Sequence, residues 1–145
     1  MMPKEVFVSY GRSDAAKFAD ALCARLTAEG HTVWRDIDMI RYGDSWMETI
    51  IRSIGSCDEF IAVLSNWAMR NPNSTCMYEI NEAASVGRPI IPVRIDECQT
   101  HFRVRSRPII DMHNWNSEKQ LTEGLDLILH VISTMEFPSN APRRE

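Results

Sequence analysis

The residue types able to do chemistry gather in four short stretches: Ser9-Tyr10-Gly11-Arg12, Trp34-Arg35-Asp36 with the polar run to Gly43, Ser65 to Arg70, and Cys76-Met77-Tyr78-Glu79. Arg12 precedes a helix-like pattern, and a guanidinium beside free helix N–H groups can receive a pyrophosphate. Trp34 and Trp46 carry flat rings that could border a planar base. Glu79 offers a carboxylate, a group that can hold sugar hydroxyls or face developing positive charge. Each also has a plainer reading. Arg12 could be a surface arginine, Trp34 a core strand residue and Trp46 a packed helix start. On spacing alone Glu79 is an exposed helix glutamate at the border of its helix, with Cys76 and Ala83 on the apolar side and Thr75 and Glu82 toward the polar side. Glu82, one turn on, reads as a solvated charge.

Several common chemistries are excluded by pattern. No GxGxxG, phosphate-binding P-loop or HExxH occurs. The first strand does not end in the acidic pair of a phospho-accepting receiver, and Ser9-Tyr10 is not a nucleophile elbow. Cys23, Cys57, Cys76 and Cys98 lack the close pair spacing that clamps zinc or makes a redox pair, so buried reduced thiols are expected and no metal site.

The elements that must position these residues follow from periodicity. Val6-Phe7-Val8-Ser9 reads as the first strand, Ser13 as an N-cap, and Ala15, Phe18, Ala19, Leu22 and Leu26 as the buried face of a helix ending near Glu29, with Gly30 in the left-handed position. Thr32-Val33-Trp34 is a second strand, followed by a connection from Asp36 to Gly43 that exceeds the usual loop of roughly 2 to 6 residues. Ser45 and Glu48 form a capping box for a second helix ended by Gly55. Phe60 to Leu64 is nearly continuous in apolar residues, as a strand covered on both faces should be. A helix over 74–86 and a strand over 90–95 follow, with Pro92 marking an edge or bulge. Pro108 to Asp111 is a short strand, and Ser117 with Gln120 caps a last helix carrying Leu121, Leu125, Ile128 and Ile132. Five β-then-α units predict an α/β, doubly wound five-stranded parallel sheet with helices on both faces. Ligands in such sheets bind outside the carboxyl ends of the strands, where the four stretches lie.

The chain has 145 residues, 44% hydrophobic and 25% charged, which suits one ordinary globular domain. A domain over 1–137 is expected, with 138–145 a linker or frayed tail. A formal net charge of −4 argues against a general nucleic-acid binder. Arg103, Arg105 and Arg107 form a local basic cluster, read as one solvated side of an extended segment. With no signal-peptide pattern and no apolar run near the roughly 20 residues that span a bilayer, a cytoplasmic protein without membrane contact is expected.

Taken in order, Phe7-Val8-Ser9-Tyr10, Trp34-Arg35-Asp36 with Gly43-Asp44-Ser45-Trp46, and Cys76-Met77-Tyr78-Glu79 resemble the signature boxes of Toll/interleukin-1 receptor (TIR) domains. The bacterial branch fits best, and the resemblance spans about Glu5 to Met135. It implies a flavodoxin-like sheet and one of two activities: a protein–protein signalling module, or cleavage of the nicotinamide–ribose bond of NAD. Enzymatic members carry a glutamate at the position matching Glu79, which makes it the catalytic candidate. Ser9, Tyr10, Arg12, Trp34, Asp36, Gly43, Ser45 and Trp46 become candidate substrate contacts, with NAD as substrate and no separate cofactor.

The loop from Asp36 to Gly43 resembles the family's BB loop, a lid that also contacts neighbouring subunits, so homotypic association with other TIR domains, filaments included, is implied. One departure stands out: enzymatic relatives often carry an aromatic residue where this chain has Thr75, which leaves open whether the product is ADP-ribose or a cyclic form. The expected function is an NAD glycohydrolase of bacterial immunity or virulence, activated by self-association. The alternatives are a non-catalytic TIR adaptor, and a nucleotide-binding or nucleoside-processing protein on the same layout.

Overall fold

The computed structural model describes residues 2–36 and 46–137. Five strands, β1 (Glu5–Ser9), β2 (Thr32–Trp34), β3 (Glu59–Leu64), β4 (Ile90–Arg94) and β5 (Ile110–Asp111), form one sheet in the order β2-β1-β3-β4-β5, with all pairs parallel. The helices are α1 (Ala16–Ala28), α2 (Trp46–Ser56), α3 (Asn66–Arg70), α4 (Thr75–Ser85) and α5 (Glu118–Thr134). This is the doubly wound, flavodoxin-like architecture expected from the alternating pattern, and its strand order reverses between β1 and β3.

The two-residue period of a strand divides the core into two layers. Val6, Val8 and Tyr10 share one with Ile61, Val63, Ile91 and Val93, under α1 and α5. Phe7, Phe60, Ala62 and Leu64 share the other with Ile50 and Ile54 of α2 and Cys76, Ile80 and Ala83 of α4. The rings of Phe7 and Phe60 stack at 5.4 Å across the β1–β3 pair. Every residue of β3 is buried, as a central strand covered on both faces requires. Gly30 and Gly87 sit at φ +94° and +72° after α1 and α4, conformations that the lack of a Cβ makes accessible.

Several local expectations are corrected. Ser13 does not cap α1: residues 11–15 make a turn closed by Ala15 N–H to the Gly11 carbonyl, and the helix begins at Ala16. Asp14 instead serves α3, accepting from Ser65 Oγ at 2.7 Å and the Trp67 amide at 2.9 Å, two partners that the sequence does not link to it. Gly55 lies inside α2. Ser117 occupies the N-cap of α5 but makes no side-chain capping bond, so the Ser117–Gln120 box is not formed. α3 was not anticipated, and the β4–β5 connection contains no helix, so the fourth β–α unit is incomplete.

Pro92 lies in an interior strand, opposite Ala62. The Ile95 amide bonds toward β3 and the Arg94 carbonyl toward β5. Alternation therefore aims the missing donor of Pro92 at β5, whose ladder with β4 begins only at Val93–Ile110. Arg103 and Arg105 fall in a turn over 102–106, so the three arginines do not line an extended face. The four cysteines are free and buried, as read. No helix among the described residues is long and apolar enough to cross a membrane. The proposed tail, 138–145, lies outside the described residues.

Candidate active site

α4 delivers the central group. Its buried residues, Cys76, Glu79, Ile80 and Ala83, keep the i, i+3, i+4, i+7 spacing of one helix face, and Ser74 starts the helix by accepting from the Met77 amide at 3.2 Å. Glu79 thus occupies a core position and is 1% exposed, which overturns the reading of it as an exposed helix glutamate. Ser9, the last residue of β1, follows Phe7 on the same sheet face. It is fully buried and donates its hydroxyl to Glu79 Oε1 at 2.7 Å. The pair stands at the carboxyl end of β1 beside β3, where the strand order reverses.

Asp36, just past β2, closes the cluster. It is 5% exposed and its Oδ2 lies 3.0 Å from Arg12 Nη2, while the Arg12 side chain remains about half exposed. Burial pushes the Glu79 carboxyl well above its usual range. The Asp36 charge and hydrogen bonding add to the rise, and Ser9 and Arg12 oppose it. Glu79 Oε2 meets no hydrogen-bond donor among the described residues. Burial likewise pushes the Cys76 thiol up, against an opposing bond from Ser9, which leaves it protonated and a poor nucleophile at neutral pH.

The other candidates divide. Tyr10 follows Ser9 by one residue and so points to the opposite layer, where it packs under α1; burial raises its hydroxyl pKa and Arg35 opposes the rise. Trp34 is level with Phe7, and its indole N–H donates to Glu5 Oε1 at 3.3 Å, toward the amino end of the sheet and away from Ser9. Among the described residues neither Tyr10 nor Trp34 makes a hydrogen bond to Ser9 or Glu79, although the Asp36 charge adds to the rise of the Tyr10 hydroxyl and Trp34 packs against the core layer of Cys76 and Ile80. Trp46 opens α2 and lines an open groove of about 350 Å³ with Met47, Pro72, Asn73, Ser74, Thr75 and Tyr78. Its indole nitrogen is buried and meets no hydrogen-bond partner among the described residues. Gly43 and Ser45, and the loop from Ile37 onward, lie outside the described residues.

Two contributors escaped the sequence reading. Tyr78, 40% exposed, shares the Trp46–Thr75 groove, and its place next to Glu79 in the same box was the available signal. Asp14 holds the start of α3, accepting from Ser65 and the Trp67 amide just beyond β3, and no local pattern marks that long-range cap.

A parallel sheet in the 2-1-3-4-5 order with a buried carboxyl at its switch point defines an α/β protein of the flavodoxin-like, doubly wound class. Residues 6–128 match the family model described as TIR domain, and the chain belongs to the TIR domain family. Over 63 residues it is 40% identical to the NAD(+) hydrolase PdTIR of Paracoccus denitrificans (strain Pd 1222); the match covers 43% of this chain and 21% of that protein. The chain therefore matches about a fifth of the length of that relative. Among solved structures, it resembles the TIR domain of the Toll-related receptor TRR-2 of Hydra magnipapillata, with a TM-score of 0.71 and 19% identity over 89% of this chain and 98% of the other. It also resembles the CMP N-glycosidase BcmB of Clostridium botulinum, with a TM-score of 0.59 and 23% identity over 86% and 100% of the two chains. These two likenesses concern the fold.

Proposed function

We propose that this TIR domain is an NAD glycohydrolase with Glu79 as its catalytic carboxylate. The observation that carries the reading is the buried Glu79–Ser9 hydrogen bond at the carboxyl end of β1. A glutamate is costly to bury, and this one is oriented by a dedicated donor at the place where doubly wound sheets take ligands. The partial likeness to a bacterial NAD(+) hydrolase supports the same chemistry.

In the proposed reaction the bond from ribose C1′ to the pyridinium nitrogen breaks, and its electron pair leaves with nicotinamide, whose positive charge is thereby neutralised. Positive charge then develops on the sugar. An ionised Glu79 about 4 Å away, at an effective dielectric near 20, interacts with that charge by roughly 4 kcal/mol. As an upper-end differential stabilisation this is about three orders of magnitude in rate. Water adds through oxygen to C1′ and loses a proton, giving ADP-ribose; attack by a nucleophile within the substrate would instead give a cyclic product. Nicotinamide needs no protonation to leave, so a single carboxylate serves, unlike the paired acids of ordinary glycosidases.

Arg12, half exposed beside the cluster, would exchange Asp36 for a phosphate, and the Trp46–Tyr78 groove would take a planar base beside Thr75. Self-association through the segment after Asp36 would complete the site and couple turnover to assembly, in a cytoplasmic role in bacterial immunity or virulence. The test is nicotinamide release from NAD by concentrated or bead-crowded protein, with Glu79→Gln as the near-isosteric control. Release lost in the variant supports the enzyme. No release from the crowded wild type favours an adaptor, and release that survives the substitution removes Glu79 from the role.

A further inference from the structure

The turn over 11–15 that carries Arg12 is fastened to α3 from both sides of that residue. Asp14 accepts from Ser65 Oγ at 2.7 Å and from the Trp67 amide at 2.9 Å, one donor for each carboxylate oxygen. Gly11 packs closely on the same helix. A Cβ there would stand 3.0 Å from Ala68 Cβ, 3.1 Å from Ser65 Oγ and 3.1 Å from the Trp67 ring. The Ala15 amide closes the turn on the Gly11 carbonyl at 3.0 Å. Arg12 therefore leaves a backbone held on either side of it, and its half-exposed guanidinium reaches outward to Asp36.

α3 is tied in turn to its neighbours. The Asn66 amide donates to Asp96, just past β4, at 2.9 Å. Ser74, the N-cap of α4, donates its hydroxyl to the Ala68 carbonyl at 3.1 Å, and α4 is the helix that carries Glu79. One short helix thus joins the Arg12 turn to the Glu79 helix. We propose, on the reading that Arg12 receives a pyrophosphate, that Asp14 is a positioning residue: its clamp on α3 holds the Arg12 turn at a fixed place relative to Glu79, so that the site selects nicotinamide compounds that carry a pyrophosphate. Asp14 touches no ligand in this role. Guanidinium–phosphate bonds are directional, and a turn ordered before binding avoids the cost of ordering it on binding.

The sign of the effect separates this role from simple electrostatics. Asp14 is negative, so as a bystander it repels a pyrophosphate, and Asp14→Asn would tighten binding. As a clamp it does the reverse. The Asn amide keeps one acceptor oxygen and turns its NH2 group toward one of the two donors, so the turn loses its hold on α3 and anion binding weakens. Immobilising one rotamer-rich side chain on binding changes an equilibrium by about 2- to 12-fold, which sets the expected loss.

The test is calorimetry with ADP-ribose, which carries the pyrophosphate without the nicotinamide bond, on wild type, Asp14→Asn, Arg12→Gln and the double variant. Asp14→Asn should weaken binding by about 2- to 12-fold. It should change nothing further once Arg12 is replaced, because the clamp acts through that guanidinium. A merely structural Asp14 would lower the melting temperature and leave the two losses additive. Tighter or unchanged binding in Asp14→Asn, additive losses, or no binding by wild type overturns the proposal; should Asp14→Asn fail to fold, Ser65→Ala, which removes one of the two donors, takes its place. In nicotinamide release from NAD the defect should fall on KM rather than kcat. Coupled losses in ADP-ribose binding with no release from the crowded wild type would uphold the clamp and remove the hydrolase reading. Release without those coupled losses would keep the hydrolase and remove the clamp.

Discussion

Replacing Ser9 with Ala removes the hydroxyl that donates to Glu79 Oε1 at 2.7 Å and leaves neither Glu79 oxygen with a described donor. The cost depends on the charge of the acceptor. A hydrogen bond between neutral groups contributes about 1 kcal/mol net, and one to an ionised group about 1.5 to 3 kcal/mol. At about 3 °C per kcal/mol for a domain of this size, the melting temperature should fall by about 3 °C where Glu79 is protonated and by about 5 to 9 °C where it is ionised. The gap between wild type and Ser9→Ala should therefore widen as pH rises through the Glu79 titration.

Turnover should show the opposite slope. Ser9 favours the ionised form, so without it Glu79 holds its proton to higher pH. Nicotinamide release should drop by about 10- to 150-fold, the rate equivalent of 1.5 to 3 kcal/mol, and most severely on the acid side. Thermal melts and fixed-time release assays across the same pH series read both quantities. A stability gap that stays constant or narrows with pH would refute the coupling of Ser9 to the Glu79 charge.

Glu79→Gln should melt higher than wild type at alkaline pH and converge with it in acid. The Glu79 pKa is raised in the folded state, so the stability linked to its protonation is full below the ordinary carboxyl range and is lost as pH rises through the folded value; Gln never ionises. Asp111→Asn should show the reverse. Burial works against the Asp111 charge, but hydrogen bonds from Arg94 at 2.6 Å and from His113 prevail and hold its pKa below the usual value. Its contribution is present above the unfolded carboxyl pKa and fades as pH falls through the folded one, so the variant's deficit in denaturant melts should shrink in acid. Gly124→Ala should change stability by less than about 1 kcal/mol, because the gain in helix propensity is offset by displacing the flexible Met112 thioether into the adjoining cleft; with Met112→Ala in place the same substitution should become clearly stabilising in a double-mutant cycle.

Local chain chemistry was enough to determine the architecture. The alternation of apolar strand runs with helical stripes specifies a parallel sheet, and Gly30 and Gly87 end their helices for a reason that involves no distant residue. The order of the boxes around Ser9, Asp36 and Glu79 identified the family because such boxes are contiguous in sequence. The Cys76–Glu79–Ile80–Ala83 stripe even contained the sign that Glu79 faces inward, although a carboxylate in an apolar stripe reads first as a border residue.

What tertiary structure alone decided is how side chains far apart in the chain combine. Ser9 and Glu79 are 70 residues apart, and their bond exists only because β1 ends beneath α4. One residue of strand pleat sends Tyr10 to the far layer, and the indole of Trp34 turns back to Glu5. Asp14 abandons its own helix to cap another. The charge state of Glu79 belongs to the same category, because desolvation and the proximity of Asp36 are properties of the folded site, and no window of sequence contains them.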